Sequence, residues 1–308
     1  MTIEKPITDF ASVARHLCKT AVRKRVALVC PQDSHTQYVI ERALKEETAD
    51  FLLFCSGDLK PEMQALVRQC PDRLTLSFAS TPDEAAHDAV VAVREKQADV
   101  LMKGTVNTDN LLRAVLNKQW GLLQPGAVLS HVAVVQIPSY SKLLVFSDAA
   151  VIPRPTLEQF DAIVRYTVAM SRRLGVAQPK VALVHCTEKV NEKFPHTLDY
   201  EELKHRAAQG AYGEVCLGGP MDVKTACDAE SGAVKGIVSP VVGQADILVF
   251  PNIESGNTFY KTVTLFGKAT SAGILFGTTA PVVVASRADS GESKYYSLVL
   301  ACAMSDPR

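Results

Sequence analysis

The feature that most constrains the fold is the alternation of short apolar runs with amphipathic stretches along the chain. Runs rich in Val, Leu and Phe are predicted to be strands, at 25–30, 51–55, 74–79, 99–103, 128–137, 142–148, 180–186, 246–251 and 281–286. Between most of them lie patterns typical of helices, among them 82–96, 108–118, 156–173 and 290–304. Apolar strands separated by helices predict an α/β protein with a mostly parallel sheet covered on both faces.

One pair of predicted strands breaks this alternation. The segments 128–137 and 142–148 are joined only by "PSYS", which is too short for a crossover helix. Such a short connection predicts an antiparallel hairpin. We therefore expect a second subdomain to begin near residue 128.

Charge and cysteine content exclude several classes of protein. The 308 residues carry 33 basic and 33 acidic side chains, so the net charge is zero and neither nucleic acid nor a membrane surface is an expected partner. No signal-peptide core is visible at the N-terminus, and no apolar run approaches the roughly 18 residues of a membrane span. The eight cysteines include no CxxC pair. A cytoplasmic protein with reduced thiols is therefore expected.

A lysine ends the predicted strand 99–103, where an apolar residue would be usual. Lys103 and Gly104 lead into Thr105, and Asn107 or Thr108 is placed to cap the next predicted helix. Ligands of parallel sheets bind beyond the carboxyl ends of strands, and a helix N-terminus favours an anion. A surface lysine beside an ordinary cap is the bland alternative for this stretch.

Two further strand ends repeat this composition, which favours a shared function. Ser286 and Arg287 leave the strand 281–286, and Asp289 or Ser290 is placed to cap the final helix. After the strand 246–251, a glycine-containing loop is expected to carry three polar residues, Asn257, Tyr260 and Lys261. One ligand rich in phosphate would account for all three clusters.

Common cofactor motifs are absent from the sequence. There is no GxGxxG, GxxxxGK[ST], HExxH or GxSxG, and the seven histidines show no ligand spacing. We therefore expect neither a nicotinamide nor a catalytic metal, and no other cofactor.

Six segments, in this order, resemble the phosphate acetyl/butyryl transferase family: "LMKGTVNTDNLLRAVLNK", "VLSHVAVVQIP", "FSDAAVIPRPTLEQ", "GPMDVKTACD", "SPVVGQADILVFPNIESGNTFYK" and "APVVVASRADSGESKYYSLVLA". The similarity runs from about residue 98 to 303 and is weaker before that. The spellings "KGxVxT", "LSHVAV" and "SRADS" are most like the butyryl-transferring branch of the family.

The resemblance implies a fold and an activity. The implied fold is that of isocitrate and isopropylmalate dehydrogenases, with two α/β domains and an interdomain cleft. The domains would comprise 1–127 with 282–308, and an inserted domain 128–281. The implied reaction is reversible acyl transfer between coenzyme A and phosphate, so that acyl-CoA and phosphate are substrates. A homo-oligomer is also implied.

The resemblance also assigns roles to residues. Ser286 and Arg287 match the family's Ser-Arg pair, which would hold phosphate and stabilise the transition state. In acetyltransferases of the family, an aspartate is the proposed general base. The equivalent position here falls near Ser293, so Asp289 and Glu292 remain as the nearby carboxylates. The implied phosphate and CoA ligands are Lys103, Gly104, Thr105, Thr108, Arg113, Asn257, Tyr260 and Lys261, although Arg113 is equally compatible with an exposed helix position.

Several alternatives stay open from the sequence. Because no cysteine is seen beside an evident base or at a clear helix N-terminus, direct transfer is favoured over an acyl-cysteine route. An acetyl-specific enzyme and a non-catalytic acyl-CoA-binding protein are the competing functions. A metal- and nicotinamide-dependent decarboxylating dehydrogenase would need an aspartate cluster and a nucleotide motif, and neither is apparent.

Overall fold

A computed structural model describes residues 5–19, 23–286 and 289–305. The chain divides into two compact units. The terminal unit contains Phe10–Leu129 and the C-terminal segment from Ala272, and the inserted unit contains Ser130–Ser271 and the N-terminal segment up to Asp9.

The described strands, in chain order, are β1 (Lys24–Val29), β2 (Ala49–Ser56), β3 (Leu74–Ala79), β4 (Val100–Lys103), β5 (Ser130–Gln136), β6 (Leu143–Ser147), β7 (Lys180–Val184), β8 (Cys216–Met221), β9 (Ile247–Val249), β10 (Thr270–Phe276) and β11 (Val282–Val283). The described helices are α1 (Phe10–Cys18), α2 (Ser34–Lys45), α3 (Pro61–Gln69), α4 (Pro82–Arg94), α5 (Thr108–Val115), α6 (Leu157–Arg173), α7 (His196–Ala208), α8 (Val223–Cys227), α9 (Ala229–Val234), α10 (Ile253–Leu265) and α11 (Gly291–Met304).

The terminal unit is built on a mostly parallel sheet. Its described strands follow the order β3-β2-β1-β4-β11-β10. The pairs from β3 to β11 are parallel, and β10 and β11 are antiparallel. β1 and β4 are almost fully buried, as their apolar segments "VALV" and "VLM" predict.

The inserted unit contains the predicted hairpin. β5 and β6 pair antiparallel, with Ala133 opposite Phe146, which confirms that expectation. From β6 the order continues β9-β7-β8 with parallel pairing. The core of this unit includes Phe146, Leu248 and Phe250, and the ring of Phe259 on α10 packs edge-on against Phe146 at 5.2 Å.

Helix starts are encoded by local polar residues. Thr81 caps α4 by accepting a hydrogen bond from the Glu84 amide, with a proline in the first turn. At α6, Thr156 and Gln159 form a reciprocal capping box. Over the described residues, no helix is long and apolar enough to cross a membrane.

Every predicted strand is present, although β9 and β11 are much shorter than the predicted 246–251 and 281–286, and two further strands were not predicted. β8 has the sequence "CLGGPM", in which two glycines and a proline hide the apolar pattern. β10, "TSAGILF", begins with small residues that carry little hydrophobic signal. The α/β fold class with mostly parallel strands is confirmed.

Candidate functional site

Lys103 is a buried residue, unlike an ordinary lysine at a strand end. It is the last residue of β4, and only 4% of its surface is exposed. Its Nζ atom donates a hydrogen bond to the carbonyl oxygen of Gly104 at 3.1 Å. A buried ammonium is costly unless it is paired or hydrogen-bonded, so the bland interpretation as a solvated lysine is wrong.

Gly104 is required by the packing of the chain itself. A Cβ atom there would lie 2.2 Å from the Cys30 carbonyl oxygen and 2.5 Å from that of Val29. The Gly104 amide donates to Val29, and the Thr105 amide and hydroxyl both donate to Cys30. The segment after β4 is therefore fastened to the end of β1.

The helix that follows begins as the sequence suggests, although the cap is weaker. Asn107 is the N-cap residue of α5 and its side chain makes no cap hydrogen bond, while Thr108 is the first helical residue. Arg113 is exposed and lies in the last turn of α5, where a cation interacts favourably with the helix dipole. That position fits the exposed-helix interpretation of Arg113.

The second cluster lies at the end of β11. The Ser286 amide donates to Oδ2 of Asp289 at 2.8 Å, and the Asp289 amide donates back to the Ser286 carbonyl at 3.2 Å. Ser290, and not Asp289, caps α11, by accepting a hydrogen bond from the Ser293 amide. The Asp289 carboxylate thus closes the loop that carries Ser286. Arg287 lies outside the described residues.

Sheet register brings these two clusters to the same edge of the terminal unit. β4 and β11 are parallel neighbours, with Met102 opposite Val283. Carboxyl ends of parallel neighbours face the same side, so Lys103–Thr105 and the two residues Ser286 and Asp289 lie at the ends of adjacent strands on that edge.

A buried ion pair at this edge was missed by sequence reasoning. Lys294, in the second turn of α11, is 6% exposed, and its Nζ atom lies 3.6 Å from Oδ1 of Asp33. Asp33 caps α2, which follows β1. The available signal was one lysine within the otherwise apolar end of α11, "KYYSLVLACAM".

In the inserted unit, the residues expected in a loop lie on a helix. Asn257, Tyr260 and Lys261 are all within α10, because Asn252 caps that helix by accepting a hydrogen bond from the Ser255 amide. The loop expectation was therefore wrong. Gly256 is needed there, since a Cβ atom would lie 2.2 Å from the Asp148 carbonyl oxygen.

The three side chains on α10 have specific neighbours. Nδ2 of Asn257 donates to the carbonyl oxygen of Ala149 at 3.0 Å. The Tyr260 hydroxyl lies 3.2 Å from the Ser271 hydroxyl, and the Lys261 ammonium lies 4.5 Å from the centre of the Tyr260 ring. Lys261 is exposed and keeps its charge available to an anion.

The "FSDAAVIP" turn is organised by one buried carboxylate, Asp148, which is 1% exposed. Its Oδ2 atom accepts hydrogen bonds from the Ser130 hydroxyl and the His131 amide, at 3.0 and 3.1 Å. Its Oδ1 atom accepts from two amides in the turn itself, those of Ala150 and Val151. Asp148 therefore shapes the backbone that receives Asn257.

The expectation that no cysteine lies beside a base needs correction. Sγ of Cys186 lies 3.9 Å from Nδ1 of His185, its neighbour in sequence. That nitrogen accepts a hydrogen bond from the Thr187 amide at 3.1 Å, so its lone pair is already occupied. The pair gives no support to an acyl-cysteine route. Within the described ranges, no group of His, Cys, Asp or Glu has the arrangement of a metal site.

Fold and site together define a class of protein. In the terminal unit, the buried lysine at the end of β4, and the hydroxyl groups and helix N-termini that follow β4 and β11, lie at the edge of the sheet where parallel α/β proteins bind their ligands. The sequence profile of the family described as "Phosphate acetyl/butaryl transferase" matches residues 76–302. The chain belongs to this family of phosphate acyltransferases.

Individual relatives agree with this assignment. The chain is 37% identical to the phosphate butyryltransferase of Clostridium acetobutylicum over 285 residues, which cover 92% of this chain and 94% of the relative. It is 34% identical to the phosphate acetyltransferase of Thermotoga maritima over 286 residues, covering 90% and 94%. The crystal structure of a branched-chain phosphotransacylase from Enterococcus faecalis superposes with a TM-score of 0.80 at 31% identity, covering 92% of this chain and 100% of that one.

Proposed function

We propose that the protein transfers a short acyl group, butyryl, between coenzyme A and inorganic phosphate. Butyryl-CoA and phosphate would give butyryl phosphate and free CoA, reversibly and in a ternary complex. The observation that carries the proposal is the match to a phosphate butyryltransferase across 92% of the chain. The motif spellings around Lys103, His131 and Ser286 support the same branch.

The proposed phosphate ligands come from the terminal unit. Lys103 would neutralise phosphate charge, and Ser286 would donate a hydrogen bond to a phosphate oxygen. Thr105 would hold the segment after β4 beside the phosphate, because its single hydroxyl proton is directed at the Cys30 and Gln32 oxygens. Arg287 would bind the phosphate with a two-point guanidinium fork and offset the charge of the transition state. In the inserted unit, Asn257, Tyr260 and Lys261 would contact the acyl phosphate.

Asp289 is the proposed general base for the CoA thiol. A free thiol has a pKa of about 8.5, so a base must favour the thiolate when CoA attacks acyl phosphate. Glu292 is a poorer candidate, because its carboxylate lies 3.9 Å from the Arg42 guanidinium on α2. Ser293 has no carboxyl group, and its amide hydrogen-bonds to Ser290.

Acetyl transfer is the second candidate function. It is favoured by the 34% identity to a phosphate acetyltransferase over a comparable length of chain. A non-catalytic acyl-CoA-binding protein is a weaker candidate, since Ser286, Arg287, Asn257 and Lys261 are all retained.

A panel of acyl-CoA substrates tests the acyl preference. CoA release should be followed with acetyl-, propionyl-, butyryl-, isobutyryl- and isovaleryl-CoA at saturating phosphate. We expect the highest kcat/KM with butyryl-CoA and a much lower value with acetyl-CoA. A higher kcat/KM with acetyl-CoA would replace the butyryl proposal and leave phosphate acyl transfer standing.

A further inference from the structure

Lys294 is a buried cation that the roles described above leave unused. It lies in the second turn of α11, and 6% of its surface is exposed. The residues that follow it on α11 include buried tyrosine, leucine and valine side chains, so leaving its charge unpaired would be costly. A buried lysine at this position therefore needs an oppositely charged partner.

Its partner is the carboxylate of Asp33, which also caps helix α2. Asp33 accepts hydrogen bonds from the Thr36 amide, at 3.0 Å, and from the Thr36 hydroxyl. Burial alone would raise the pKa of Asp33, but these hydrogen bonds and the Lys294 charge outweigh it and hold the pKa below its usual value. Asp33 and Lys294 therefore face each other as opposite charges at neutral pH.

Asp33 belongs to the loop that holds the segment after β4. In that loop, residues 30–33, the Cys30 carbonyl accepts hydrogen bonds from the Thr105 amide and hydroxyl at 2.9 and 3.1 Å. The Gln32 side chain accepts from the same hydroxyl at 3.0 Å. The position of Thr105 is thereby fixed relative to Asp33.

Lys294 lies on α11, whose cap residue, Ser290, directly follows Asp289. The Lys294 amide donates to the carbonyl of Ser290. The start of α11 also meets α2 closely, because a Cβ atom on Gly291 would lie 2.7 Å from the Tyr38 ring. The ion pair thus joins the β1 loop to the start of α11, and the Arg42–Glu292 contact at 3.9 Å joins α2 to the same turn of α11.

We propose that Asp33 and Lys294 are a positioning pair for the acyl transfer. Their attraction holds Ser286 and Asp289, which precede α11, beside Lys103–Thr105, so that both sets of residues contact one phosphate group. This inference rests on the proposed phosphate acyltransferase activity. It assigns neither residue to the reacting atoms, and it makes phosphate binding depend on a contact outside the family motifs.

The test uses four variants of the full chain: Lys294→Met, Lys294→Arg, Asp33→Asn and the double variant Asp33→Asn/Lys294→Met. Asparagine caps a helix as well as aspartate does, so Asp33→Asn removes the charge and keeps the α2 cap. The control is Arg73→Met, which removes a largely buried cation bonded to Asp50 at 2.6 Å at the opposite, amino edge of the strands. For each protein, KM for phosphate, KM for butyryl-CoA, kcat and Tm are measured.

Loss of the ion pair should weaken phosphate binding more than butyryl-CoA binding. We expect Lys294→Met and Asp33→Asn each to raise KM for phosphate at least about tenfold, with KM for butyryl-CoA changed less than about twofold. Lys294→Arg should recover most of the loss, since it keeps the charge. The double variant should be no worse than Lys294→Met, because coupled residues are not additive. Arg73→Met should lower Tm and leave both KM values near wild type.

Three results would overturn the positioning pair. Wild-type KM for phosphate in Lys294→Met would show that the contact is irrelevant to the reaction. Normal kinetics in Asp33→Asn beside a damaged Lys294→Met would mean that Lys294 acts without Asp33. Equal damage in Arg73→Met would attribute the loss to general destabilisation. If the wild-type protein makes no acyl phosphate at all, the proposed function itself fails and removes this inference with it.

Discussion

Among single residues, two buried lysines, Lys103 and Lys294, differ in how far the sequence alone reveals them. Lys103 could be predicted, because a cation that interrupts an apolar strand is visible in one stretch of sequence. Lys294 could not, because its significance depends on Asp33, which is distant in the chain and reaches it through the pairing of α2 with α11. Local sequence thus reveals unusual residues, and tertiary structure is needed to identify their partners.

At position 287, the two-point geometry of the guanidinium should matter more for kcat than its positive charge. A guanidinium binds phosphate oxygens in a two-point fork, whereas lysine keeps the charge and loses the fork. We expect Arg287→Lys to lower kcat by more than about tenfold, and Arg287→Ala by roughly a hundredfold or more. Tm should change little in either variant. Kinetics and thermal melting on the same preparations provide the measurement, and near-normal kcat in Arg287→Ala would remove this residue from the site.

Buried thiols should make the protein less stable in alkali. Burial raises the pKa of Cys302 to about 12, from an ordinary thiol value of 9.0. Between those values the unfolded chain releases a proton that the folded chain keeps, so stability present below pH 9 is lost as the pH rises. Cys302 alone should cost about 1 kcal/mol at pH 10.

Urea unfolding at pH 8 and pH 10 measures this loss. Cys302→Ala removes the titrating thiol, and its stability should therefore fall less between the two pH values than that of the wild type. An equal fall in both proteins would show that Cys302 is not responsible.

At the scale of elements, strands with unbroken Val and Leu runs could be predicted, and elements specified by tertiary contacts could not. β8 and β10 carry glycine, proline or small residues, so their place in the sheet comes from their neighbours. The segment around Asn257, which was expected to be a loop, is helical. Gly256 suggested a loop, but this glycine is required because α10 passes close to the Asp148 backbone, a contact that the local sequence does not show. The local sequence likewise does not show that Nδ1 of His185, the neighbour of Cys186, already accepts a hydrogen bond from the Thr187 amide.

The junction between β1 and β4 should tolerate no side chain at Gly104. Both nearest atoms are backbone carbonyl oxygens, which cannot move without disrupting the strands. We expect Gly104→Ala to lower the free energy of unfolding by more than about 3 kcal/mol. Gly126→Ala is the control, because a Cβ there meets open space and only its φ of +78° is strained, at a cost of about 1 kcal/mol. Similar denaturation midpoints for the two variants would contradict the packing described for this junction.

For the whole molecule, the two-unit organisation follows from the insertion of one α/β unit between the segments of the other. Each unit places its candidate residues at or beyond the carboxyl ends of its own strands: Lys103 is the last residue of β4, Ser286 follows β11, and Asn257 lies on the helix after β9. Family membership was predictable because motifs such as "KGTVNT" and "SRADS" survive as short contiguous segments. The Asp33–Lys294 pair has no such contiguous signature.

The most direct test of the account is whether acyl phosphate forms from acyl-CoA and phosphate. Purified protein should be incubated with butyryl-CoA with and without phosphate, and free thiol and acyl phosphate should be quantified in the same samples. We predict thiol release that requires phosphate and is matched one for one by acyl phosphate, and that is unchanged by a chelator. Thiol release at the same rate without phosphate, or without acyl phosphate as product, would contradict the assignment of phosphate acyl transfer to this protein.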